Sequence, residues 1–332
     1  MLTRRDFILA PALAAASQES KSEKPCPIRV GCVSWTFRSI GQGPPWEEEI
    51  RRIAGLGFAG IELIVARPQE LKTYWKDQEI ARLRSLLSTV GLTCSQFVLF
   101  QNAVAGFGSR KVSELREALK VFEAGCKAAR ALGAPLINIV APWPTDIRGP
   151  RSYLPRYYAI PEGRNAPPPG VKFQLRVPEN FPARSAWETF VNIMREATEI
   201  AKDHGLRFSL ENHTHTFVPT SDSFLRLYDR IGDPTLGMNL DIGWLWINRE
   251  WPPIAIYKLR ELLLNLHIRD VDGLAYRFPA IGTGRMDFKA VIKALRDVGY
   301  KGFITIEQDR VPDMRLSIIK GRKLLEEILN ER

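Results

Sequence analysis

The chain is poor in the residues that most often mark thiolate metal sites and disulfide frameworks: its 332 residues include 4 cysteines and 4 histidines. Cys26, Cys32, Cys94 and Cys126 contain no Cys-x-x-Cys pair, which argues against a thiolate zinc site, and no paired spacing speaks for a disulfide. Cys32 and Cys94 fall in expected core strands and Cys126 in an expected helix, so they read as small buried hydrophobes. No apolar run reaches the roughly 20 residues needed to cross a bilayer, so no stable membrane insertion is expected. A dense Lys/Arg run is also missing. The formal charge of +10 is scattered over expected helix faces and one loop, which reads as a solvated basic surface with no nucleic-acid partner. The first expected strand closes on Cys32-Val33-Ser34-Trp35-Thr36-Phe37, with none of the Gly-rich phosphate loop that a doubly wound dinucleotide fold would carry there.

What is present is an ordinary globular composition, 45% hydrophobic and 25% charged, with enough length for a large core. The start is distinctive. Thr3-Arg4-Arg5-Asp6-Phe7-Ile8-Leu9 leads into an apolar run ending Ala12-Leu13-Ala14-Ala15-Ala16, the charged start, apolar middle and small-residue end of an export signal. The arginine pair resembles a twin-arginine signal, so residues 1–27 are expected to be signal and linker and the mature protein to be exported to the periplasm.

From Ile28 onward, short apolar runs alternate with longer amphipathic segments. Strands are expected at Ile28–Phe37, Gly60–Val65, Thr93–Phe100, Leu136–Ala141, Arg207–Asn212, Gly237–Gly243, Leu263–Asp270 and Gly302–Gln308. Helices are expected at Trp46–Gly57, Asp77–Val90, Val112–Leu132, Ser185–His204, Ser221–Ile231, Pro252–Leu262, Asp287–Val298 and Met314–Leu329, several of them stopping at glycine. Eight strand–helix units joined by right-handed crossovers close into a (β/α)₈ TIM barrel, so 28–332 is expected to be one α/β barrel domain. The segment 144–183, rich in Pro, Gly, Tyr and Arg, breaks the rhythm after the fourth strand and must leave on the C-terminal face. It is either a lid that brings Arg148, Arg151, Tyr153, Arg156 or Tyr157 to a substrate, or an oligomer contact or decoration.

Four residues share one placement. Glu211, Asp241, His267 and Glu307 stand toward the C-terminal ends of the expected fifth, sixth, seventh and eighth strands. Adjacent strands run about 4.8 Å apart, so these side chains can converge at the mouth. Burying three carboxylates and an imidazole with no lysine among them is costly unless a cation answers the charge. Their mixed oxygen and nitrogen donors suit one divalent ion, Mn²⁺, Mg²⁺, Co²⁺ or Zn²⁺, with geometry deciding between them.

The ordered set Gly60-Ile-Glu-Leu, Leu210-Glu-Asn-His, Asn239-Leu-Asp-Ile-Gly, Leu266-His-Ile-Arg-Asp, Gly282-Thr-Gly-Arg-Met-Asp-Phe and Ile304-Thr-Ile-Glu resembles the sugar phosphate isomerase/epimerase proteins of the xylose isomerase-like TIM-barrel superfamily. The resemblance covers nearly all of the mature chain. It implies that Glu211, Asp241, His267 and Glu307 bind a divalent metal, often manganese, and that Glu211 and Glu307 form the catalytic acid/base pair flanking a sugar. Two positions depart from the epimerase pattern: Trp244 stands where the family often has a substrate-contacting histidine, and Phe217 where epimerases tend to carry a further glutamate. Trp244 is then expected to offer an apolar or stacking wall to a larger substrate such as a glycoside. His213 and His215 are candidates for substrate contact or proton relay, against ordinary loop hydrogen bonding. His204, ending a helix, reads as a dipole partner. Glu62 is expected to reach substrate hydroxyls at the mouth or to pair with Arg67. Arg269 is a further substrate candidate, with a structural ion pair expected from it or from Asp270.

The reading that leads is a metal-dependent isomerase or epimerase of a ketose or keto-sugar. Its rivals are a lyase, dehydratase or glycoside-cleaving enzyme on an oxidised sugar, and a non-catalytic sugar-binding protein that keeps the metal; homo-oligomerisation is left open. The multi-zinc DNA repair endonucleases of the same superfamily need many more histidines than 4.

Overall fold

The computed structural model describes residues 28–147, 176–273, 278–308 and 311–331. The export signal, Cys26, and the lid candidates Arg148, Arg151, Tyr153, Arg156 and Tyr157 lie outside the described residues.

Eight parallel strands close on themselves in sequence order, with β1 paired to both β2 and β8. They are β1 (Arg29–Val33), β2 (Gly60–Val65), β3 (Thr93–Leu99), β4 (Leu136–Val140), β5 (Arg207–Glu211), β6 (Leu236–Asp241), β7 (Leu263–Ile268) and β8 (Phe303–Ile306). The surrounding helices are α1 (Glu47–Gly55), α2 (Pro68–Thr73), α3 (Asp77–Val90), α4 (Val112–Leu132), α5 (Ala183–Asp203), α6 (Ser221–Ile231), α7 (Ile242–Ile247), α8 (Pro252–Leu259), α9 (Phe288–Asp297) and α10 (Met314–Asn330). The strands are buried almost end to end because helices cover one face and the barrel interior takes the other. Apolar residues at helical spacing, such as Trp187, Phe190, Val191, Met194, Ala197 and Ala201 on α5, supply the covering face. The edge of Phe122 on α4 meets Phe208 on β5 at 5.0 Å, tying helix layer to barrel. Gly91 and Gly133 end α3 and α4 in left-handed conformation, which frees those helices to turn straight into the next strand.

Helices α3, α4 and α6 match their expected limits. The strands at the mouth are shorter than expected, because the apolar pattern runs on into the loops: β1 stops at Val33, and Trp35 already sits in a turn. Two short helices were not anticipated. Helix α2 starts at Pro68, and α7 begins where β6 was expected to run on to Gly243, because Asp241 caps it. Two register shifts interrupt the ladders. Ile61 faces Cys94 but Glu62 faces Gln96, so Ser95 is an extra residue in β3; Met238 faces Leu263 but Asn239 faces Asn265, so Leu264 is an extra residue in β7. Among the described residues no helix is long and apolar enough to cross a membrane.

Candidate metal centre and sugar site

The C-terminal ends of β5 to β8 bring Glu211, Asp241, His267 and Glu307 together. One ligand atom from each lies within 4.8 Å of the others, and all but Glu307 are almost fully buried. Glu307 stands one residue past the end of β8, and its backbone N–H still donates to Ile268 O at 3.1 Å. This spacing approaches what ligand atoms span around an ion held at about 2.0–2.2 Å. A second observation favours a cation: Oε2 of Glu307 is buried and accepts no hydrogen bond among the described residues, although Nδ1 of His267 lies 2.8 Å away. The contact is close but poorly directed, which leaves that oxygen able to ligate. A buried group of Glu, Asp and His can therefore hold one metal here.

The centre is not short of positive charge in the way the sequence suggested. Arg269 donates through Nε to Asp241 Oδ2 at 2.7 Å and lies with Nη2 2.6 Å from Glu307 Oε1. It is the structural ion pair expected of the Arg269-Asp270 dipeptide, made to two of the ligand candidates. Asp241 divides its carboxylate: Oδ1 accepts the N–H groups of Gly243 and Trp244 at 2.8 and 2.9 Å and caps α7, which turns Oδ2 toward the centre. Asp270 is spent on backbone, accepting from Val271, Gly282, Gly284 and Met286. That fixes the Gly-rich loop beside the mouth, and only glycine fits at 284, where a Cβ would stand 2.3 Å from the Asp270 carboxylate.

Electrostatics separate the two glutamates. Burial pushes Glu211 up to about 7, against the pull of His267. Burial acts on Glu307 in the same direction, but Arg269 and His267 outweigh it and hold Glu307 well below the usual carboxylate range. Burial also raises Asp241, opposed by Arg269. For His267, burial works against the charged ring, yet Glu62, Glu211 and Glu307 together carry its pKa well above the ordinary imidazole value.

The other predicted residues divide. Trp244 is 5% exposed, with His213 packed against it at 3.8 Å between ring centroids, Phe278 edge-on at 5.1 Å, and the Arg269 guanidinium over both the Trp244 and Phe278 rings. This makes an aromatic cluster beside the acid centre. Burial drives His213 down to about 3, so its ring is neutral. His215 is exposed, has a positive φ of 63°, and lies with its ring 5.9 Å from Trp143. Phe217 turns away and stacks on Phe190 at 4.6 Å. Glu62 departs from its expected position. It is fully buried below the mouth, where its oxygens accept from Gln96 at 3.0 Å and Asn265 at 2.8 Å and meet His267 Nε2 at 2.9 Å, while Arg67 pairs with Glu70 instead.

Sequence reasoning missed Trp35, whose Nε1 donates to Glu307 Oε1 at 3.1 Å, and Asn239, whose amide donates to Glu211 Oε2 at 3.0 Å. The signal for Asn239 was available, since it stands two residues before Asp241 and a strand repeats its facing every second residue.

Comparison with known proteins agrees with this architecture. An uncharacterised protein of Methanocaldococcus jannaschii is 30% identical over 143 residues, 41% of this chain, and the chain spans about half (47%) of that protein's length. Inosose dehydratase of Clostridium botulinum is 22% identical over 323 residues, 91% of this chain and 95% of the dehydratase. Among solved structures, 3-keto-D-glucoside 4-epimerase from E. coli superposes with a TM-score of 0.68 at 18% identity, covering 90% of this chain and 99% of the epimerase. Residues 50–328 match the family model described as xylose isomerase-like TIM barrel, and the chain belongs to that family.

Proposed function

We propose that the protein is a divalent-metal-dependent sugar isomerase or epimerase that moves a proton beside the carbonyl of a ketose or keto-sugar. The observation that carries this reading is the convergence of Glu211, Asp241, His267 and Glu307 within 4.8 Å at the mouth of the barrel, with two glutamates in unlike surroundings. Those four residues would hold the ion, manganese in our reading. When bound it would polarise the sugar carbonyl and acidify the neighbouring C–H. Glu307, gripped by Arg269 and Trp35, is suited to stay ionised and accept that proton. Glu211, with a raised proton affinity, the Asn239 amide on Oε2 and His267 Nδ1 at 3.6 Å, is suited to return one. Trp244 and Phe278 would pack against the C–H face of the sugar ring, while Arg269 and His213 line the polar side. The likeness to the E. coli epimerase supports this reading.

A second reading keeps the proton abstraction and then expels a leaving group. The match to inosose dehydratase over 91% of the chain favours it, as do Trp244 and Phe217 at positions where epimerases carry polar groups. Export through the Arg4-Arg5 signal, which we also propose, points the same way, because sugar phosphates are scarce outside the cytoplasm.

The test is incubation with keto-sugars and oxidised glycosides in D₂O with Mn²⁺, read by mass spectrometry and NMR. Deuterium entering an intact sugar is the expected result. Loss of water or of a glycone fragment replaces it by the lyase reading, and no exchange with any substrate overturns both.

A further inference from the structure

We infer that Glu62 is the positioning residue of the metal centre: its carboxylate holds the proton of His267 on Nε2 and so turns the Nδ1 lone pair toward Glu211, Asp241 and Glu307. The inference rests on the metal reading proposed above and adds a fifth residue, from the opposite side of the barrel.

The geometry assigns the roles. Nε2 of His267 lies 2.9 Å from Glu62 Oε2, whereas Nδ1 lies 2.8 Å from Glu307 and 3.6 Å from Glu211. Both ring nitrogens face carboxylates, which only accept; Nδ1 is the one that stands among the ligand candidates, where a cation would take the place of its proton, while Nε2 faces Glu62, outside that group, and keeps its own. Glu62 has no second task open to it. It is fully buried, and its two oxygens also take the amide donors of Gln96 and Asn265, so it neither reaches the mouth nor rotates freely. Asn265 in turn donates to Glu62 and to Asn239 Oδ1 at 3.0 Å, one step further along the same network, and Asn239 supports Glu211.

The fold is bent to build this arrangement. Both interruptions of the strand ladders fall here: the extra Ser95 brings Gln96 opposite Glu62, and the extra Leu264 brings Asn265 opposite Asn239. Without them each strand would present its other face at this level, and the two amides that lock Glu62 would point out of the barrel. A carboxylate behind a ligating imidazole fixes ring orientation and raises its donor strength, and removing such a partner typically costs about 10–100-fold in metal affinity.

The experiment compares the full chain with Glu62→Gln and Glu62→Ala, titrating Mn²⁺ calorimetrically and recording the histidine ¹⁵N spectrum of the zinc-loaded proteins. Circular dichroism establishes that each variant is folded, and the near-isosteric Gln serves if the Ala variant fails. The expected result is affinity lowered about 10–100-fold, with the wild-type pattern of protonated Nε2 and unprotonated Nδ1 lost. Unchanged affinity, or weaker affinity with the same tautomer, overturns the positioning role. A wild-type chain that takes up no metal overturns it together with the metal reading. Metal bound and tautomer shifted, but no deuterium exchange on any sugar, upholds Glu62 and sinks only the proposed reaction.

Discussion

The two halves of the barrel treat the same inward-facing positions differently. On β5 to β8 a polar residue recurs two places before each ligand candidate: Ser209 before Glu211, Asn239 before Asp241, Asn265 before His267 and Thr305 before Glu307. On β3 and β4 the polar residue occurs once, as Gln96 and Asn138, and two places further on stand Val98 and Val140. Charge is therefore gathered on one wall of the mouth, over a floor of neutral amides and hydroxyls. The half made of β1 to β4 backs that wall with apolar surface and reaches across it through Glu62 and Trp35. Carboxylates crowded on one side of a low-dielectric interior attract a cation and resist ionising together, whereas the same groups spread around the rim would be solvated separately.

The sharpest way to break this comparison is to neutralise the charged wall. Glu307→Gln and Glu211→Gln should each lower sugar-dependent deuterium exchange by about 10²–10⁴-fold. Val98→Ala on the opposite wall should leave exchange intact and cost about 1–3 kcal/mol of stability, as core truncations do. Thermal unfolding and exchange measured side by side separate the two effects. Next in size, His267→Ala should weaken Mn²⁺ binding by more than about 100-fold, beyond the cost of losing an outer-shell partner, as read by metal content after dialysis.

A pH series on metal-free protein sharpens the comparison further. Because Glu211 binds its proton more tightly when folded, its contribution is fully present below its ordinary value of 4.5 and is lost as pH rises through about 7. His267, also raised, acts with the same sign. Stability measured by denaturant should fall by about 1–3 kcal/mol between pH 5 and pH 8. Glu211→Gln should flatten most of that fall, and no flattening would show that the charged wall does not set it. The smallest effect is expected at the neutral floor. Asn138 donates to the backbone oxygen and the hydroxyl of Ser209, so Asn138→Ala should cost about 1 kcal/mol in unfolding free energy and leave Mn²⁺ affinity unaltered.

Much of this molecule was legible in one dimension. The alternation of apolar runs with amphipathic segments, punctuated by helix-ending glycines, specifies eight strand–helix units, because burial on both faces and the right-handed crossover leave few ways to close them. The four ligand candidates were legible for the same reason: a charged residue at the end of an apolar strand stands out against its surroundings. The acidic partners of Arg269, the tryptophan donor from the turn after β1, and the burial of Glu62 were not. Trp35 and Glu307 are 272 residues apart, and Glu62 and His267 are 205 apart. Contacts of that span depend on the shear of the closed barrel and on two one-residue register shifts. A period-two pattern tells which side of a strand a residue faces, and only the packed barrel decides at what height it stands and what it meets there.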